Sequence, residues 1–257
     1  MRAMSDSVSE PVAEIRPGIL RPNWSAVTTD MGRYALAGRM VARSGLLDKW
    51  LHTLNPDEDQ AWRVVLRFYA TQGRPPQIAE IATTVDVPQQ DAAALLHKLQ
   101  LRDLIGLDPS SGAITHAYPF TQSPTEHRVQ LNGHALNALC AIDALGTAEM
   151  YDTDVTIRTQ CRFSGEAITV STAKKGRALQ SISPAQSVVW YDFAYAGNAA
   201  ASCCPLIAFF CSDAHLRNWL DAQQPARAGA RLTMPEALEL GRAIFGPVLR
   251  EAVRTAP

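Results

Sequence analysis

At 257 residues the chain can form one large domain, or a small one packed on a larger, and either can bury a sizeable core. A composition of 47% hydrophobic and 19% charged residues is that of a globular chain rather than a disordered or fibrous one. The formal net charge of -1 gives no electrostatic case for nucleic acid or an anionic membrane, and no apolar run approaches the roughly 18 residues needed to span a bilayer.

The first twenty residues carry Asp6, Glu10 and Glu14 and no apolar core, so they do not read as a secretory signal, and a cytoplasmic location is expected. Cys140, Cys161, Cys203, Cys204 and Cys211 are an odd set for a disulfide framework in a reducing compartment. They are confined to the second half of the chain, a clustering that hints at chemistry, although cysteine is also a small buried hydrophobe.

Residues 1–29, broken by Pro11, Pro17 and Pro22, read as a mobile tail or an arm over the body. Met31 to Leu54 suggests one or two amphipathic helices interrupted near Gly45. Pro56–Asp57 opens a helix with the apolar face Trp62, Val65, Leu66, Phe68 and Tyr69, ended by Gly73-Arg74-Pro75-Pro76. A short helix through Ile78, Ile81 and Ala82 and a third starting at Pro88 follow. A hairpin then turns at Asp108-Pro109-Ser110-Ser111-Gly112. Three helices and a hairpin in this order resemble a winged helix-turn-helix. Acids outnumber bases over residues 57–107, and Asp91 stands where a recognition helix would meet phosphates, so a structural role is expected rather than DNA binding.

After Pro119 the pattern changes. Arg128–Leu131, Val155–Arg158, Ala167–Ser171, Ser187–Tyr191 and Leu206–Phe210 have the composition of strands. A helix is expected from about Asn132 to Met150, another over Asp213–Ala222, and a last one opened by the Thr233/Glu236 capping box and running to about Val253. The predicted fold is α+β. A winged-helix-like helical module packs on a mixed, largely antiparallel sheet core with flanking helices. The predicted division is an N-terminal arm with short helices (1–55), the module (56–120) and a catalytic core (121–257).

Two features suggest chemistry. The segment Ala135–Leu145 is apolar nearly all round yet holds Cys140 and Asp143, three residues apart and therefore on one face of a helix. A buried Asp must be hydrogen-bonded, neutral or facing a cavity, and a structural Asp capping a loop is the plain alternative. The second is Ser202-Cys203-Cys204 ahead of an apolar strand. If that segment is extended, neighbouring side chains diverge, and at most one thiol faces the Cys140 site. Zinc is disfavoured by the lack of a Cys-x(2–4)-Cys pair. The histidines His52, His97, His116, His127, His134 and His215 form no pattern expected of a hydrolase, and no phosphate-binding glycine loop is present.

Leu139-Cys140-Ala141-Ile142-Asp143-Ala144-Leu145 resembles the organomercurial lyase motif that carries a first cysteine and an acid. Ser202-Cys203-Cys204 with Phe209-Phe210 resembles the second cysteine motif of that family, and Cys161-Arg162-Phe163-Ser164-Gly165 a third cysteine segment. Pro235-Glu236-Ala237 with Leu240-Gly241 also fits, so the likeness spans roughly Asp57 to Arg250. Two features depart from the pattern: the length of chain ahead of the module, and Leu139 where an aromatic residue can stand.

The resemblance implies a lyase of mercury detoxification that cleaves carbon–mercury bonds by protonolysis. Cys140 and Cys203, together with Asp143, would hold mercury transiently, and Asp143 would handle the proton. No organic cofactor is implied; low-molecular-weight thiols or mercuric reductase would remove Hg(II). Mercury is a soft ion that prefers thiolates, which suits these residue types independently. Cys161 is expected to be structural, Cys204 to face away from Cys203, and Cys211 to lie beyond a strand end. The alternatives are a winged-helix, thiol-based metal-sensing regulator and a non-catalytic mercury carrier.

Overall fold

The computed structural model describes residues 13–16 and 19–250. The chain begins with strands β1 (Ala13–Arg16) and β2 (Ile19–Arg21), which pair antiparallel. Helices α1 (Asp30–Ala42) and α2 (Ser44–Trp50) follow, as the Gly45 interruption predicts. The buried positions of α1, Gly32, Ala35, Leu36, Arg39 and Met40, form one stripe at helical spacing. The remainder of the N-terminal arm read from the sequence includes a 3-10 turn, Trp24–Ala26, while residues 1–12 and 17–18 lie outside the described residues.

Helix α3 (Pro56–Gln72) starts at a capping box in which the Asn55 side chain accepts from Glu58 N–H and the Glu58 carboxylate accepts from Asn55 N–H. It stops at Gly73, whose φ of 69° is cheap only for a residue without Cβ. Then come α4 (Ile78–Val85), α5 (Gln89–Leu101), β3 (Ile105–Leu107) and β4 (Ile114–Ala117). The expected order of three helices and a hairpin is present. The hairpin is not a free wing: through β5 (Phe120–Thr121) it forms one end of an eight-stranded sheet continuous with the rest of the chain.

The segment expected to be one helix from Asn132 to Met150 is divided. Strands β6 (Arg128–Leu131) and β7 (His134–Ala138) form a hairpin, and α6 (Ala141–Met150) begins only after it. Asn132 and Gly133 both take positive φ, 48° and 84°, the type I′ geometry for which Asn-Gly is the preferred pair. Helix propensity in Ala135–Leu139 yields to ladder pairing on both edges of β7.

The large sheet is completed by β8 (Thr156–Gln160), β9 (Ala167–Ala173) and β10 (Ala178–Ser183), in the order β10-β9-β8-β6-β7-β5-β4-β3. Next are β11 (Val188–Asp192), a short helix α7 (Ala199–Ser202), β12 (Ala208–Phe210), α8 (Asp213–Asp221), β13 (Gly229–Thr233) and α9 (Met234–Phe245). A smaller sheet has the order β12-β11-β13. The described strand pairs are all antiparallel, so the architecture is α+β as predicted but without the mixed pairing. Strands β10 and β13 were not foreseen. The expected strand Leu206–Phe210 shortens, because Cys204-Pro205-Leu206 forms a 3-10 turn.

Helix α9 starts at the Thr233/Glu236 capping box, as its sequence requires. It ends at Phe245 rather than near Val253; Pro247 cannot donate to continue it, and residues beyond 250 lie outside the described part. Helices α6 and α9 cross at two glycines: a Cβ on Gly241 would sit 2.8 Å from the backbone nitrogen of Gly146. This close crossing fixes α6, and with it Cys140 and Asp143, against the rest of the core. Among the described residues no helix is long and apolar enough to cross a membrane.

Candidate active site

Cys140 lies one residue before α6, as its N-cap, in extended backbone, and its thiol accepts from Asp143 N–H at 3.4 Å. Asp143 lies in the first turn of the helix. The expected three-residue relation between the pair therefore holds, through a cap rather than a helix face. Ala141 N–H donates to Ile207 C=O at 3.2 Å, tying the start of α6 to the segment that follows Cys204. A Cys140 thiol, an Asp143 carboxylate oxygen and the Cys204 thiol all lie within 4.8 Å of one another, and all three residues are buried.

Cys203 is not the residue that meets Cys140 and Asp143. Its thiol donates to Ala199 C=O at 3.4 Å, whereas Cys204 lines the cavity above Cys140. The expectation that the two thiols diverge also fails. It assumed extended backbone, but Cys203 has φ −98° and ψ −38° between two helical turns. The Cys204 thiol interacts with both the Cys203 and the Cys140 thiols, making a row of three sulfurs.

The acidities along this row differ. Burial pushes the Asp143 carboxyl up to about 7, although the Cys140 and Cys204 thiols favour its ionised form. Its Oδ2 is buried and has no hydrogen-bond partner. Burial likewise holds the Cys140 thiol up at about 11 despite its helix N-terminal position. Cys204 is raised well above the usual thiol range, chiefly by its hydrogen bonds to the Cys140 and Cys203 thiols and then by burial. Cys203 is lowered to about 7 by the Cys204 thiol, with Arg43 and Arg39 adding to the effect against burial. The row therefore has one acidic thiol, two reluctant ones and a carboxyl poised to hold a proton near neutrality.

The cavity over these groups measures about 60 Å³. A single buried water needs roughly 10–15 Å³ on this kind of measure, so a group of a few heavy atoms fits. Trp62, Ile142, Ile207 and Phe245 make its walls largely apolar. Arg39 and Arg43 roof it from the N-terminal helices, both buried. Arg43 Nη2 donates to Asp192 C=O at 2.8 Å and its guanidinium lies 5.0 Å from the Tyr191 ring centroid. Both arginines were missed from the sequence. The available signal was position: Arg39 occupies the stripe of α1 otherwise filled by small and apolar residues.

The Cys203-Cys204 segment is held from the module side. Asp103, buried at a φ of 54°, accepts from Asn198 Nδ2 and Ala199 N–H, both at 2.9 Å, and from the Tyr118 and Tyr195 hydroxyls, both at 3.2 Å. Tyr118 Oη in turn accepts from Ala200 N–H at 2.8 Å. Cys161, expected to be structural, and Cys211 are buried away from this row, and lie with His215.

The model of the alkylmercury lyase family matches residues 120–246, which include Cys140, Asp143 and Cys204. The chain is 27% identical over 182 residues to the alkylmercury lyase of Staphylococcus epidermidis, covering 70% of this chain and 79% of that protein. It is 25% identical over 194 residues to the alkylmercury lyase of Streptomyces lividans, covering 73% and 83%. The fold matches the crystal structure of the mercury-bound form of MerB2 with a TM-score of 0.66 and 22% identity, over 86% of this chain and 100% of that one. The sequence motifs, the buried thiol–carboxyl cluster and the match to the alkylmercury lyase family model all fall on the same part of the chain, which is similar to that family over residues 120–246.

Proposed function

We propose that the protein cleaves the carbon–mercury bond of organomercurials by protonolysis, with Cys140 and Cys204 as mercury-binding thiols and Asp143 as proton donor. The observation that carries this reading is the buried cluster of Cys140, Asp143 and Cys204, with an unpartnered carboxylate oxygen at the foot of an apolar cavity. The alkylmercury cation is captured by one thiolate. The second thiolate adds to mercury and raises electron density on carbon. The bonding pair of the carbon–mercury bond takes a proton from Asp143, releasing the hydrocarbon. Mercury stays Hg(II), held by two sulfurs, and the protons of the two thiols are lost to solvent.

Each group suits its task. Thiolates bind soft mercury far better than oxygen or nitrogen ligands do. A carboxyl raised to about 7 is protonated in a large fraction of molecules at neutral pH, which an exposed Asp near 3.9 is not. The Cys203 sulfur, lowered to about 7, is a thiolate in a large fraction of molecules at neutral pH, and in that form it takes the Cys204 proton as mercury binds and passes it on to solvent. Arg39 and Arg43 supply positive charge opposite the thiolates so formed. Low-molecular-weight thiols, or a partner such as mercuric reductase, would then take Hg(II) from the two sulfurs. The proposed setting is mercury detoxification in the cytoplasm.

Incubating the purified chain with phenylmercury and excess small-molecule thiol, with benzene measured in the headspace, tests the reading. Catalytic release of benzene is expected. Stoichiometric mercury uptake without benzene would leave a mercury carrier instead.

A further inference from the structure

Cys161, Cys211 and His215 form a second cluster that the reaction does not use. The two sulfurs and a ring nitrogen lie within 4.8 Å of one another, with Cys161 Sγ 3.4 Å from His215 Nδ1. At metal–ligand lengths of about 2.3 Å for sulfur and 2.0–2.1 Å for nitrogen, tetrahedral ligation places S and N about 3.6 Å apart and two sulfurs about 3.8 Å apart. The cluster is thus near the geometry of a bound ion. We infer that Cys161, Cys211 and His215 constitute a site for one thiophilic divalent cation of the zinc or mercury type, separate from the catalytic row.

The local backbone supports this independently. Cys161 follows β8 and starts a tight turn in which Gly165 N–H returns to Cys161 C=O at 2.8 Å, with Gly165 at a φ of 75°. Cys211 leaves β12, and His215 sits in the first turn of α8, where Ser212 Oγ caps its N–H at 3.3 Å. Cys211 and His215 are four residues apart, a Cys-x(3)-His spacing compatible with metal ligation. The thiols are buried while His215 is partly exposed and Phe163, which lies against its ring, is exposed, so the fourth ligand comes from solvent.

Two soft sulfurs and one imidazole favour zinc or mercury over magnesium or calcium, which take oxygen ligands. Ion binding displaces the remaining thiol protons. The inference stands apart from the catalytic assignment, and its test removes the catalytic thiols. The full chain carrying Cys140→Ser, Cys203→Ser and Cys204→Ser is titrated with Co2+, then with competing Zn2+, Hg2+ or Mg2+. One equivalent of Co2+ with visible bands of tetrahedral thiolate ligation is expected, displaced by Zn2+ and Hg2+ but not by Mg2+. Adding His215→Ala or Cys211→Ser should weaken binding at least tenfold. The same substitutions in the otherwise unaltered chain should lower total Zn2+ uptake by one equivalent, which keeps the test decisive if the triple variant fails to fold. Absence of Co2+ binding in the folded triple variant, or uptake unchanged by both His215→Ala and Cys211→Ser, would overturn the site.

Discussion

A single residue number separates the thiol that meets Asp143 from the one beside it. The pair Cys203-Cys204 offers two sulfurs, and the helical turn around them sends Cys204 into the cavity while Cys203 bonds back to Ala199. Cys140→Ser and Cys204→Ser are therefore expected to abolish hydrocarbon release. Cys203→Ser should lower it by no more than about tenfold, as loss of one auxiliary proton acceptor would. Steady-state turnover of the three proteins checks this, and the opposite ranking of Cys203 and Cys204 would refute the pairing. Asp143→Asn keeps volume but removes the proton, so turnover should fall by on the order of 10²–10⁴-fold while mercury capture persists. Its stability effect has a definite sign. The Asp143 carboxyl is raised from 3.8 to about 7 in the folded protein, so its stabilising contribution is complete below about pH 4 and is lost as pH rises through about 7. The loss could reach about 4 kcal/mol at 1.36 kcal/mol per pKa unit. The Asn variant, free of that penalty, should gain on the parent in melting temperature between pH 4 and pH 8; a constant difference across that range would mean the carboxyl is not raised.

At the scale of elements, two contacts position the row. Asp103 gathers the Tyr118 and Tyr195 hydroxyls, the Asn198 side chain and Ala199 N–H, and so holds α7 just ahead of the cysteines. Asp103→Ala leaves the buried Ala199 N–H without an acceptor, at about 1–3 kcal/mol, and three half-buried donors that water can partly satisfy, for a total of about 2–4 kcal/mol. Turnover should fall as well, because Cys204 follows directly on the released segment. Denaturant midpoints and turnover measured on one preparation separate the two effects, and a loss in neither would show that Asp103 does not position the loop. The second contact is the glycine crossing of α6 and α9. A methyl at Gly241 meets the Gly146 backbone at 2.8 Å, which neither helix can relieve by a rotamer change. Gly241→Ala should cost about 1–3 kcal/mol through forced separation of the helices. An unchanged unfolding midpoint would show that the crossing has slack.

For the whole molecule, the N-terminal segment acts as the roof of the cavity. Helix α1 lies along β13 and α9, and Glu239 on α9 anchors its start by accepting from Thr28 and Thr29 N–H at 3.0 and 3.2 Å. Arg39, Arg43, Leu46 and Trp50 then close the space above Cys140 and Cys204. A chain lacking residues 1–43 should unfold at lower temperature and expose Cys140 and Cys204. A bulky aromatic disulfide reagent should modify Cys140 and Cys204 faster in that chain than in the intact one. Equal modification rates would mean the roof does not limit access.

The sequence by itself determined the chemistry-bearing residue types, the order of most elements and the family likeness, because these are local or linear properties. Capping boxes at Asn55 and Thr233, the stripe on α3 and the Cys140–Asp143 spacing are all written within a few residues. The Asn132-Gly133 turn was equally local, and reading Ala135–Leu139 as helix gave propensity more weight than turn chemistry. Tertiary structure alone decided the rest. Whether Cys203 or Cys204 faces Asp143 depends on a helical turn set by Asp103, about a hundred residues upstream. The acidity of Asp143 depends on walls contributed by α3, α9 and β11, and on Arg43 from the junction of the N-terminal helices. A carboxyl is moved from 3.8 to about 7 by the solvent it loses, and only the folded chain removes that solvent.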